Sequence, residues 1–366
     1  MKRKGILILI VLASILLLVG CNEQRIQKPS IEKLGMISVM AFDYVDEETI
    51  KMTVIMPQPA LESKEHTEVF SVETDMVQKG IAEITTNADK TATLSQLRVV
   101  LFSEELARKG KVKKIIQHLY EDPNVRSNTY VGIGKDSAEA FLTSEYPDKP
   151  GISVYINNIF QPKPYTFFND FTSIHDFVYE DTNPLIDTIM PYLVLEKGLI
   201  NIDGVAAFKA EIMTQVFTKQ QGRDIQLMRD ISKLSILPIS FEKEKVVLEY
   251  IEAKAKVKSN HDIESPKITI TLKIEGVLTE YEGEKKLDDP KELKKLQKEI
   301  SKSMEEEIAN MIQECQELSI DPVGFFEPFR MRYKGEWPSN LSKELLEKAE
   351  FEIKAETEII GVGAIK

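Results

Sequence analysis

The sequence predicts an α+β protein of more than one domain, with mixed and antiparallel sheets flanked by helices. Three observations carry this. Late in the chain, Val247–Val257, Ile268–Ile274 and Phe351–Ile359 alternate strictly between apolar and polar residues. That is the pattern of strands with one solvated face, and it favours antiparallel pairing. Between the last two lies one long helix, Pro290–Leu318, whose apolar residues from Leu293 to Leu318 recur at three- and four-residue steps. Its stripe fits packing onto a sheet, with a coiled-coil seam as the alternative, and Lys291, Lys294, Lys295 and Lys298 form its solvated side. Finally, short apolar runs interleave with short helical patterns through the first half of the chain.

At the N-terminus Lys2, Arg3 and Lys4 precede an apolar run, Ile6–Val19, broken by Ser14. This is the pattern of a secretory signal, so residues 1–20 do not count toward the fold. The run is shorter than the roughly 17–25 residues of a membrane-spanning helix. Leu18-Val19-Gly20-Cys21 resembles the lipobox of bacterial lipoproteins. The resemblance implies cleavage before Cys21 and a diacylglyceryl group on its thiol; an uncleaved anchor is the alternative. Residues 21–33 then read as a lipidated tether, polar from Asn22 to Ser30. With Cys21 acylated, Cys315 has no partner for a disulfide, and its place on the apolar face of the long helix predicts a buried thiol.

A first domain is expected over 34–193. Leu34–Phe42, the polar turn Asp43–Thr49 and Ile50–Met56 form a β-hairpin, followed by a loop over Glu62–Glu68. Asp75–Asn87 is helical, and Leu97–Phe102 is a buried strand. Ser103 caps a short helix closed by Gly110. Val112–Tyr120 is a helix with Ile115, Ile116 and Leu119 on one face, and Thr129–Ile133 is a strand. Asp136 and Glu139 form a capping-box-like start to a helix ending at Leu142. From Tyr146 to Leu193 prolines break every long element, which leaves short helices lying over the sheet.

A second domain is expected over 196–366, with two subdomains conceivable. Asp203-Gly204 is a turn signal before the strand Val205–Phe208, and Arg223–Leu234 is helical. The late strands and the long helix follow.

Composition excludes several classes. The chain has 366 residues, 42% of them hydrophobic and 29% charged, which suffices for two or three cores and rules out a disordered tail. Its net charge is −12, and removal of residues 1–20 with their three basic side chains deepens this to −15. Such a chain is unsuited to nucleic acid. The four histidines, His66, His118, His175 and His261, stand singly, without the spacing of a zinc site. No Gly-x-Ser-x-Gly elbow occurs. Gly132-Ile133-Gly134-Lys135-Asp136-Ser137 lacks the third glycine of a dinucleotide loop and the ending of a P-loop, so it reads as a tight turn. Acidic pairs such as Asp288 with Asp289, or Glu104 with Glu105, are unremarkable among 59 acids. No catalytic, metal-binding or cofactor-binding residue is therefore assigned. Two aromatic clusters have core as their plain reading and a partner surface as the alternative: Tyr155, Phe160, Tyr165, Phe167, Phe168 and Phe171, and, nearer the C-terminus, Phe325, Phe326, Phe329, Tyr333 and Trp337. The second is the better candidate, because Pro322, Pro328 and Pro338 keep it irregular.

Four stretches together resemble the Ger(x)C family, lipoprotein C subunits of the nutrient germinant receptors of endospore-forming bacteria. They are Cys21 with Ile31–Gly35, Leu97–Gly110, Gly204–Phe208, and Asp321-Pro322-Val323-Gly324-Phe325. Many members carry tryptophan and aspartate after the lipid cysteine, where Asn22 and Glu23 stand here. The resemblance implies N- and C-terminal germination-protein domains and a non-enzymatic receptor component on the outer face of the spore inner membrane. Its partners would be the membrane, through the diacylglyceryl anchor, a multispanning A subunit and a transporter-like B subunit. A solute-binding lipoprotein of an importer and a lipid-anchored hydrolase are the other readings.

Overall fold

The structure, a computed structural model, describes residues 30–58, 66–163, 166, 171–229, 236–241 and 243–363. The signal, the lipobox residues Leu18, Val19 and Gly20, Cys21 and nearly all of the tether lie outside the described residues, as do Tyr165, Phe167 and Phe168. No described helix is long and apolar enough to cross a membrane.

A 3-10 turn, Ile31–Lys33, leads into β1 (Leu34–Met36). From Gly35 onward the chain forms one compact unit. The expected hairpin is β2 (Val39–Tyr44) against β3 (Ile50–Gln58), antiparallel from Val39 opposite Ile55 to Tyr44 opposite Ile50. Of the loop expected over Glu62–Glu68, residues 62–65 lie outside the described residues, and 66–68 open the strand β4 (His66–Thr74), antiparallel to β3. Helix α1 (Val77–Asn87) and β5 (Thr91–Thr93) follow. β6 (Val99–Ser103) is buried along its whole length. The Ser103 hydroxyl accepts from the Leu106 amide to start α2 (Glu104–Arg108), and α3 (Val112–Glu121) comes next.

β7 (Tyr130–Gly134) leads to α4 (Ala138–Thr143), whose cap differs from expectation. Asp136 sits in the left-handed region at φ 61°, and Ser137 is the capping residue. The Asp43 carboxylate, from β2, accepts from the amides of Ala138 (2.7 Å) and Glu139 (2.8 Å). The acid that completes this helix start thus lies far away in sequence, where local pattern does not reach. Helices α5 (Ile152–Ile159) and α6 (Ile174–Thr182) are the expected short helices, the second started by a Ser173–Asp176 capping box.

The strand β8 (Ile189–Glu196) occupies the end of the proline-rich region, where no strand was expected. Pro191 is tolerated because β7 pairs with β8 only through Tyr192 and Leu193, leaving no ladder position for the missing amide. β9 (Leu199–Lys209) runs straight through Asp203-Gly204, so the expected turn is a bulge. Gly204 has φ 152°, and a Cβ there would stand 2.0 Å from the Phe217 carbonyl oxygen. β10 (Ile212–Thr218) pairs antiparallel with β9.

These strands form an eight-stranded sheet in the order β10-β9-β8-β7-β6-β2-β3-β4. The four central strands, β8, β7, β6 and β2, are parallel; each flank is an antiparallel pair. Helices cover both faces. Phe42, Val100 and Phe102 pack under α1, α3 and α6, and Val39, Leu101 and Leu193 under α4 and α5. The sheet continues through the expected boundary near 193–196, since β9 and β10 extend it.

Helix α7 (Lys219–Met228) begins with a Thr218–Gln221 capping box, ahead of the expected Arg223. The expected continuation past Arg229 lies outside the described residues. A four-stranded sheet follows in the order β11-β12-β13-β14, from β11 (Ile236–Phe241), β12 (Glu244–Ser259), β13 (Lys267–Glu282) and β14 (Glu350–Val362). β12 and β13 are antiparallel, as expected, but β13 and β14 are parallel. Alternation reports one-sided burial, whereas direction is set by the connection, here a helical crossover that returns the chain to the starting end of the sheet. That crossover is α8 (Pro290–Leu318), capped by Asp289. It buries Leu296, Ile300, Met304, Ile308, Met311, Ile312 and Cys315 against the sheet, so its stripe is core and not a coiled-coil seam. Helices α9 (Glu327–Arg330) and α10 (Leu341–Lys348) close the layer.

The helix also seals the outer edge of β14. Its side chains Glu305, Ser301 and Gln297, one turn apart, accept from the amides of Ala355 (2.8 Å), Thr357 (3.0 Å) and Ile359 (3.2 Å). These amides would otherwise form the open donor row of an edge strand.

Candidate functional site

In the aromatic cluster offered as a partner surface the three phenylalanines are core. Phe325 and Phe326 are fully buried and Phe329 is 3% exposed. Phe325 meets Phe351 of β14 edge-on at 5.1 Å, and Phe326 lies against Phe329 at 5.9 Å. Trp337 is half-buried, its indole N–H donating to the Ser342 hydroxyl (3.0 Å). In the earlier cluster Phe160 is fully buried and stacks on Tyr130.

The turn that delivers these rings is built on Asp321. Its carboxylate accepts from the amides of Val323 (3.0 Å), Gly324 (2.7 Å) and Phe325 (2.8 Å). The Asp321 amide in turn donates to the Asp187 carboxylate (2.8 Å), and the Asp187 amide donates to the Asp321 carbonyl (2.8 Å). Burial raises the pKa of both acids, Asp321 to about 7; the three amides pull it the other way, and Asp187 adds to the rise. The pair ties the loop before β8 to the chain after α8. Beside it Arg229 bridges Glu180 (2.8 Å) of α6 and the Pro322 carbonyl (2.6 Å), and Lys209 of β9 donates to the Leu318 carbonyl. A cavity of about 110 Å³ is lined by Glu180, Asp187, Asp321, Ser342 and Lys343. This is a polar fastening between the two sheet layers. Cys315 lies in the adjacent core, where burial holds its thiol protonated.

The second concavity is an open cleft of about 930 Å³ outside the carboxyl ends of β2, β6 and β7, where sheets with parallel strands commonly take ligands. Asp43, Glu104, Glu105, Asp136 and Glu139 line it with Arg108 and Lys109. Most of these charges are already engaged. Glu104 accepts from the Tyr192 hydroxyl and pairs with Arg108 (2.7 Å); burial raises its pKa, but these partners outweigh it and hold the carboxyl low. Glu139 pairs with Lys51 and accepts from Ser71 (2.9 Å). Asp43 caps α4, with burial raising its pKa against the pull of the two amides. The arrangement orders loop ends. Gly132 and Gly134 do not make a phosphate loop. They lie within β7, where added Cβ atoms would strike Phe160, Leu193 and Phe141, and the Lys135 amide is bonded to the Leu193 carbonyl. Among the described residues no group of three His, Cys, Asp or Glu side chains is placed to hold a metal ion.

Two family models match in succession. The spore germination protein N-terminal domain covers residues 27–195, and the spore germination B3/GerAC-like C-terminal domain covers 203–363. The spore germination protein GerQC of Bacillus cereus is 22% identical over 94% of this chain and 96% of its own length. Spore germination protein KC of Bacillus subtilis is 21% identical over 99% of this chain and 97% of its own. The crystal structure of the GerBC protein aligns with a TM-score of 0.59 at 17% identity, covering 88% of this chain and 96% of that one, which shows a shared fold.

Proposed function

This chain belongs to the Ger(x)C family of spore germination proteins, and from that premise we propose that it is a lipid-anchored, non-catalytic subunit of a nutrient germinant receptor. The observation that carries the reading is the succession of the two matched domains, in order, from residue 27 to residue 363. In this reading Cys21 carries a diacylglyceryl group that holds the protein at the outer face of the spore inner membrane. Two acyl chains suffice for stable anchoring, so the acidic body needs no basic patch to stay there. Anchoring confines it beside membrane-embedded A and B subunits and raises its effective concentration for docking. Signal then passes by contact and not by chemistry. An importer's solute-binding lipoprotein would pair two similar lobes around its ligand; here the eight-stranded and four-stranded sheets differ in strand number and strand direction.

The test is Cys21→Ala in the sporulating organism. The expected outcome is loss of the protein from the spore membrane fraction and a germination defect toward the receptor's nutrient, with the far-UV spectrum of the purified variant unchanged. Normal membrane retention together with normal germination would sink the proposal.

A further inference from the structure

The cavity at the polar fastening holds charges that its own walls do not answer. All of its lining residues lie within the described segments; they come from the end of α6 and the loop before β8, from Ala210 and Asp321, and from the start of α10. Its acids are unequally engaged. Glu180 pairs with Arg229 and Asp181 with Lys113 (3.3 Å), and Asp321 is taken up by three amides. Asp187 accepts from the amides of Asp321 and Ala210. Lys343 is half-buried, and its ammonium group makes no ion pair or hydrogen bond among the described residues. Burial dominates the surroundings of the Asp187 carboxyl, and the charge of Lys343 acts on it from beyond ion-pair distance. Two hydroxyls complete the wall, on Thr188 and Ser342, residues that are each 5% exposed. The Ser342 hydroxyl accepts from Trp337 and has its own proton to give. The Thr188 hydroxyl has no hydrogen-bond partner among the described residues, although a polar group so deeply buried ordinarily has one. The space between them is small: about 110 Å³, room for roughly three or four waters at about 30 Å³ each.

We propose that this cavity binds a small zwitterion, a molecule the size of glycine or alanine with one ammonium and one carboxylate group. The ammonium would donate to Asp187, whose carboxylate has lone pairs beyond those its two amides use. The carboxylate would lie between Lys343 and the hydroxyls of Thr188 and Ser342, in charge-assisted hydrogen bonds. A simple cation could answer only the Asp187 end, and a simple anion only the Lys343 end. Leu185 and Leu346, both buried, give an apolar patch for a methyl group. Because the walls belong to the loop before β8 and to the chain after α8, an occupant would bridge the two sheet layers and tighten the fastening. Such a site goes beyond the receptor reading and does not rest on it, since binding is measured on the purified chain while that reading stands or falls with Cys21→Ala in the organism.

The experiment is calorimetric titration of the full-length chain in detergent with glycine and L-alanine. The controls are propionate, which lacks the ammonium group, and isopropylamine, which lacks the carboxylate. The zwitterions are expected to bind about tenfold tighter than either control, or better, and to slow amide exchange across 183–188 and 339–346. Lys343→Met and Thr188→Val should each weaken them, the first by about tenfold, as the loss of a charge-assisted bond requires. Without ligand, Thr188→Val should unfold as the wild type does, because its hydroxyl has no bond to lose. Absence of zwitterion binding would overturn the proposal and leave the cavity to water. Equal binding of either control would overturn it too, as would affinities unchanged in both variants or protection confined to other segments.

Discussion

Asp321→Asn keeps the size of the side chain and removes a titrating group whose pKa burial lifts from an ordinary 3.8 to about 7. Between those values the folded chain holds a proton that the unfolded chain has released, so this group's contribution to stability falls as pH rises from about 4 to about 7 and is flat above. Urea unfolding at pH 5 and pH 8 should therefore show the wild type losing more stability than Asp321→Asn over that interval; equal losses would mean that the acid is already ionised at pH 5. Asp187, also raised by burial, acts in the same direction. Part of this site was legible through the family resemblance alone, since Asp321-Pro322-Val323-Gly324-Phe325 is one of the stretches that carries it. The second acid was not. Asp187 lies 134 residues earlier, and nothing local to it announces that it receives the Asp321 amide. The same limit hid Asp43 at the start of α4, while Ser103, whose partner is three residues away, was plain. The phenylalanines after the turn show that prolines tell of irregular backbone and say nothing about exposure.

The long helix was legible to its ends. Asp289-Pro290 is a start signal, and the stripe from Leu293 to Leu318 has the helical period. Its second task was not visible, since Gln297, Ser301 and Glu305 look like any polar row on a solvated flank until the helix is seen beside β14. Replacing all three with alanine would leave the amides of Ala355, Thr357 and Ile359 without their acceptors. At about 0.5–1.5 kcal/mol for each hydrogen bond lost, the triple variant should be less stable by roughly 2–4 kcal/mol in urea unfolding. It should also scatter light at concentrations where the wild type stays clear, because an exposed donor row invites pairing between molecules. Unchanged solubility would show that the edge is protected by something else. The parallel register of β13 and β14 escaped sequence reading because the alternating pattern of a strand carries no arrow.

Across the whole molecule, the α+β class and most strands and helices could be read from periodicity and caps, but membership of a sheet could not. β9 and β10 follow the boundary suggested by composition and yet complete the sheet that begins with β2. A fragment 34–193 would end within β8 and expose Ile189 and Met190, both buried in the full chain. It should be insoluble or molten by near-ultraviolet circular dichroism, whereas extension to residue 218 restores the missing strands. A well-folded 34–193 fragment would show that β9 and β10 are dispensable. The position of β14 has a further consequence, in time. Its parallel partner lies 83 residues earlier, Lys267 beside Glu350, with all of α8 between them, and such distant pairings fold slowly. While the chain emerges, β13 waits with an open flank and α8 has no strand edge to lie along. Whatever delivers the protein to its working place must tolerate that interval, and a chaperone that recognises unfilled strand edges would find this segment exposed longest.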